Sequence, residues 1–319
     1  MHLQVIITQI LTLSFLAVIG ALAAHFRIIN EEVKNSIAKL VFNITLPLLI
    51  FSSVTKITLN SDILINSLFV LIGGAFMILL LFFGGEINRR ILRLKGGSAN
   101  VHVIHTMFGN VAFLGYPLFS ALFPDGEGLF YAVIYHFTQD IFIWTLGVVL
   151  FQKGKNMPLK EKLSHLLIPN TIAFAIGLMV LLSGFTVPKL IQTPLTGMGQ
   201  TTIYLAMMYV GAILYQQPLK GIFAKRSVYL LGVTKMLMVP GIFLAILVVL
   251  KNYTGIVFTY EATMVLLMQG AMPCMTMIVV LAKRFESDDV LATQNFFITS
   301  LLSLITLPLV FESINFFYF

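Results

Sequence analysis

Two stretches of this chain interrupt long apolar runs with residues able to do chemistry. One reads His102-Val-Ile-His105-Thr-Met-Phe-Gly109-Asn110-Val-Ala-Phe-Leu-Gly115-Tyr-Pro117, the other Met268-Gln269-Gly270-Ala-Met-Pro273-Cys274-Met-Thr276. Proline inside a helix removes one backbone hydrogen bond and clashes with the preceding turn, and neighbouring glycines let the chain unwind. Each break leaves a new half-helix N-terminus, with orphan N–H donors and about half a positive charge. Two such ends side by side make an anion site without an arginine. Gly109, Asn110, Gly115, Pro117, Gln269, Gly270, Pro273 and Thr276 are the residues this places at the site, with Asn110, Gln269 and Thr276 as side-chain partners for a carboxylate. The bland alternative is that proline and glycine only kink each helix.

Other polar groups have two readings each. Asn43, one turn before Pro47, either caps the carbonyl that the proline frees or forms the opposite wall of the cavity. Gln200, Thr201 and Thr202 share that ambiguity. His136 and Asp140 lie one turn apart on one helix face, as a proton-coupling pair or as a satisfied structural pair. His102 is expected at the membrane interface, and Lys235 is expected to snorkel to the nearer surface.

These residues need helices in a bilayer to position them. Of the 319 residues, 58% are hydrophobic and 10% charged, against about 25% charged in a soluble domain. Apolar runs near the spanning length of about 20 residues fall at 5–26, 36–55, 63–85, 98–123, 128–151, 166–185, 195–215, 227–250, 260–282 and 290–314. Of the 20 Lys and Arg, alternating the loops between two sides puts Lys56, Lys189 and Lys251 on one side. Fifteen fall on the other, and Lys39 and Lys235 lie inside helices. That asymmetry predicts ten spans, basic loops in the cytoplasm and both termini outside.

The formal charge of +7 is not a nucleic-acid footprint, because the basic residues sit in inter-helix loops without aromatic interleaving. The single Cys274 excludes an internal disulfide and a cysteine-rich metal cluster. No metalloprotease His pair, nucleophile elbow or phosphate-binding loop is present. Neither catalysis nor a cofactor or metal is therefore expected. Sliding the chain by 161 residues lays Gly109 on Gly270, Ala121 on Ala282 and Asp125 on Glu286. The two broken segments then occupy the same place in two five-helix halves, 1–151 and 166–319, joined by a linker at 152–165. An odd number of spans makes the halves inverted, and paired broken helices are a pointer to a transporter site.

Phe42-Asn43-Ile-Thr-Leu-Pro47-Leu-Leu-Ile-Phe51, Gly109-Asn110-Val-Ala-Phe-Leu-Gly115-Tyr-Pro117-Leu and Ala271-Met-Pro273 followed by Val280-Leu-Ala-Lys-Arg284 resemble the helix-2, helix-4 and helix-9 motifs of the auxin efflux carrier family. Trp144-Thr-Leu-Gly147 and Leu307-Pro308-Leu fit as well. The resemblance implies an all-α integral membrane fold of the bile-acid-transporter/NhaA-like kind, with ten transmembrane helices in two inverted repeats and helices 4 and 9 crossing where they break. It also implies a scaffold of helices 1, 2, 6 and 7, a moving transport domain of helices 3–5 and 8–10, and an elevator mechanism. A homodimer through the scaffold follows by analogy. Asn110, Pro117 and Pro273 match the family's crossover positions. With only 14 residues between the halves, the chain looks like a short member related to bacterial malate or malonate permeases.

The expected function is therefore secondary transport of small mono- or dicarboxylates across the cell membrane, with the lipid bilayer as surroundings. An interior-negative potential is worth about 2.3 kcal/mol per charge per 100 mV, enough to drive anion export without a coupling ion. The alternatives are a proton- or sodium-coupled importer using His136 and Asp140, and a membrane sensor that binds the anion without moving it.

Overall fold

The computed structural model describes residues 2–151, 168–216, 223 and 225–319; the linker expected at 152–165 lies outside them. The described chain is all helical apart from one isolated β-bridge. In order the helices are α1 (His2–His25), α2 (Glu31–Val54), α3 (Ser61–Ile91), the half-helices α4a (Gly96–Met107) and α4b (Val111–Leu122), and α5 (Glu127–Phe151). They continue as α6 (Pro169–Ser183), α7 (Lys189–Gln216), α8 (Arg226–Thr254), the half-helices α9a (Tyr260–Gly270) and α9b (Thr276–Arg284), and α10 (Asp289–Phe317). Among the described residues, six helices are long and apolar enough to cross a membrane: α1, α2, α3, α5, α8 and α10. The protein is thus a multi-pass helical membrane protein.

Local chemistry explains the irregular helices. Pro47, Pro117 and Pro240 are each preceded by one wide turn, Val41–Thr45, Val111–Gly115 and Thr234–Met238. In each the next amide reaches back five residues, as Leu46 N–H does to Val41 O. One extra residue in the turn lets the ladder pass the position where proline offers no donor. The Asn43 amide donates to Lys39 O at 2.8 Å, so part of its polar capacity is spent within its own helix.

Helices α1, α2, α6 and α7 pack on one another, with α1 lying along α7 and α2 against both α6 and α7. Helices α3, α5, α9a, α8 and α10 pack around the two breaks. No hydrophobic force draws helices together in lipid, so close contact depends on small residues. Gly20 lies against the Met208 backbone and Gly211 against the Ala17 carbonyl, with no room for a Cβ at either position. Gly211→Leu should therefore push α1 off α7, costing about 2 kcal/mol or more and lowering the melting temperature of the purified protein. A melting curve unchanged from wild type would contradict this packing.

Candidate functional site

The interruptions in the fourth and ninth segments lie side by side. Gly109 and Cys274 face each other as an antiparallel bridge. Asn110 N–H donates to Pro273 O at 2.8 Å and Met275 N–H to Phe108 O at 3.2 Å. The crossing therefore pairs Gly109 with Cys274, where the 161-residue shift laid it on Gly270. At 1.5 Å per residue, α4a and α4b are each about 18 Å long. That is roughly half the thickness of a hydrocarbon core plus its margin.

Unpaired backbone groups at this depth cost several kcal/mol, and side chains from α4a, α5, α8 and α10 meet them. The Gln139 carboxamide replaces a missing strand, accepting from Gly109 N–H at 2.9 Å and donating to Gly109 O at 3.1 Å. Thr299 accepts from Cys274 N–H at 3.0 Å. The His105 ring donates from Nε2 to Met275 O at 3.2 Å, and its Nδ1 lies 3.3 Å from the Asn295 amide. Lys235 Nζ donates to Thr106 O at 3.0 Å. Two expectations are corrected here. Lys235 and His102 are both 0% exposed; neither reaches an interface. The wide turn before Pro240, tied to α3 by Asn88 Nδ2 donating to Thr234 Oγ1 at 2.9 Å, directs Lys235 inward.

On the other face of the crossing is a cavity of about 340 Å³. Val111, Ala112 and Phe113 of the first turn of α4b and Thr276 and Met277 of the first turn of α9b line it. Among the described residues, no carbonyl accepts from the amides of these five residues. Two positive half-helix ends thus open on one space. Asn110 lines it too, donating from Nδ2 to Thr276 Oγ1 at 3.2 Å, and Asn43 forms part of the opposite wall. His136 and Asp140 also face it, with His136 Nε2 3.5 Å from the Asp140 carboxylate. Tyr116 extends that pair, its hydroxyl lying 2.7 Å from His136 Nδ1.

Of the remaining sequence candidates, Gly109 and Pro273 build the crossing and do not line the cavity. Pro117 sits in α4b behind the lining turn. Gln269 packs against Gly115 instead, where a Cβ would fall 2.6 Å from Gln269 Oε1. Gly270 lies against Met77. Gln200, Thr201 and Thr202 lie away from the cavity. Sequence reasoning missed Gln139, which reads as one more polar residue in a helix, and Asn170 at the start of α6. The buried Asn170 side chain lines the cavity, its carbonyl oxygen without a partner among the described residues; its only signal was Pro169-Asn170 opening an apolar run. An aromatic wall was missed too: Phe42 meets Phe113 edge-on at 4.8 Å, and Phe113 stacks on Tyr209 at 4.7 Å.

A helical membrane protein whose two broken helices cross beside an internal cavity has the build of a transport protein. A family model described as membrane transport protein matches residues 5–311. The chain belongs to that family, the auxin efflux carrier family expected from its motifs. An uncharacterized transporter of Methanocaldococcus jannaschii is 26% identical over 310 residues, covering 94% of this chain and 96% of its own. An uncharacterized transporter of Methanothermobacter thermautotrophicus is 24% identical over 306 residues, covering 94% and 95%.

Gln139→Leu removes both bonds to Gly109 and leaves two buried backbone groups unpaired. Hydrogen exchange at Gly109 and Asn110 should rise, and stability should fall by about 2 kcal/mol. Unchanged exchange at those two amides would show that Gln139 does not hold the break.

Proposed function

We propose that the protein is a ten-span carrier of small organic anions, mono- or dicarboxylates, that bind at the crossing of the fourth and ninth helices. The observation that carries this reading is the opening of both half-helix N-termini, with Asn110 and Thr276, onto one cavity. The volume of about 340 Å³ suits a small molecule, and the unpaired amides suit a carboxylate. Asn43, Asn170 and the aromatic wall fix the rest of the ligand.

In this reading residues 1–151 and 166–319 are inverted five-helix halves joined by the linker 152–165. The mutual packing of α1, α2, α6 and α7 supports a scaffold, against which α3–α5 and α8–α10 move as an elevator. The cavity lies between the two sets, with Phe42, Asn170 and Tyr209 on one side and Asn110, Asp140 and Thr276 on the other. Both termini are outside and the basic loops cytoplasmic, as the loop charges predict. The outward face of α6, with Ile172, Ile176 and Met179 exposed, suits lipid or a second copy.

The membrane potential alone suffices for export. Proton coupling has one observation in its favour: Asp140 and His136 share the cavity with the anion site. A cavity of this size is about 9 Å across, so an ionised Asp140 would repel a bound anion by about 2 kcal/mol at an effective dielectric of 20. A proton on the pair removes that repulsion.

Proteoliposomes loaded with labelled acetate, lactate, malonate or malate, under imposed potential and pH gradients, test these alternatives. Asn110→Ala should reduce flux to background while melting as the wild type does. Asp140→Asn should leave potential-driven export intact if transport is uncoupled, and should abolish pH-driven accumulation if it is coupled. Saturable carboxylate binding without flux under any gradient would overturn the carrier reading in favour of a sensor.

A further inference from the structure

Lys235 stands apart from the cavity chemistry. Its side chain is fully buried within the membrane-spanning part of α8. Among the described residues it forms no ion pair with an Asp or Glu. A cation in that position is costly and marks a working group, so its counter-charge has to be found. The groups facing it are those of the crossing. Its ammonium donates to Thr106 O, in the last turn of α4a. That turn is the negative end of a half-helix, with carbonyls that no following turn can satisfy.

The neighbouring titratable groups supply no negative charge. The Cys274 thiol donates to His105 O at 3.6 Å, and so carries its proton. The His105 ring donates from Nε2 to a carbonyl and accepts at Nδ1 from the Asn295 amide, which is the pattern of a neutral imidazole. The ring of His102, buried on α4a, has no hydrogen-bond partner among the described residues. Among the described residues, the complement the structure gives the ammonium is the carbonyl end of α4a.

We infer that Lys235 is a built-in cation of the crossing: its ammonium neutralises the carbonyl end of α4a, and the two broken helices assemble around that fixed positive charge. The wide turn at Thr234–Met238 and the Asn88–Thr234 bond aim the side chain there. Where the carrier reading holds, the same charge raises the potential at the anion cavity on the other face. The role at the crossing does not depend on transport.

The test is thermal unfolding of the purified protein with Lys235→Arg, Lys235→Gln and Lys235→Met. Arg keeps the charge, Gln keeps a donor without charge, and Met keeps only the stem. A fixed cation predicts that Arg melts closest to the wild type and that Gln and Met both melt well below it, or fail to fold. Gln melting with the wild type would reduce Lys235 to a hydrogen-bond donor, and Met doing so would reduce it to filler; either overturns the inference. Should none of the three fold, Lys235→Ala decides. Recovery of folded protein in ethylammonium but not in equimolar propanol supports the fixed charge, and equal recovery in both, or none in either, refutes it. Because melting is measured without substrate, a failure of the carrier reading in the flux assays leaves this test standing.

Discussion

A backbone amide or carbonyl in the hydrocarbon core has no water to fall back on, and this chain interrupts two helices there. The arrangement of the crossing follows from satisfying the groups those breaks release. Pairing the breaks removes two donors and two acceptors, through Asn110 with Pro273 and Met275 with Phe108. Gln139, Thr299 and Lys235, each from a helix packed against the crossing, and His105 of α4a itself then meet further groups. Polar residues in apolar helices are thereby explained by backbone accounting before any appeal to a ligand.

Part of what is left unmet faces the cavity. Among the described residues, the first-turn amides of α4b and α9b face the cavity without a carbonyl, and the Asn170 oxygen lacks a partner there as well. Helix polarity shapes this: at the carbonyl end of α4a, His105 O and Thr106 O are met by Cys274 and Lys235, while the amide ends of α4b and α9b open on space. A fixed ammonium behind the crossing and free N–H groups in front of it give the whole motif one electrical sign. The Tyr116–His136–Asp140 chain lies beside the same cavity.

The family and the membrane were legible from the chain alone, because hydrophobic length, loop charge and proline spacing are one-dimensional signals. The expected apolar segments fall on described helices within a few residues. Asn110 and Thr276 were expected on the cavity for a similar reason, since a helix restart exposes the residues at its first turn, and both line it. Lys235 was misread because distance from a helix end is a poor guide when a wide turn rotates the side chain. Gln269 was misplaced because one glycine across the interface, Gly115, gives its amide room to pack away from the cavity.

The sequence by itself determined that the chain is a helical membrane protein of this transport family and that its fourth and ninth segments must break. Those conclusions rest on local physics, the length of an apolar run and the missing donor of a proline. Only the tertiary structure decided that Gly109 faces Cys274, that Gln139 holds the break, and that Asn43, Asn170 and Asp140 line the same cavity as Asn110. Which polar groups meet depends on helix rotation and on the close contacts that glycines permit, and neither is written in the period of any one helix.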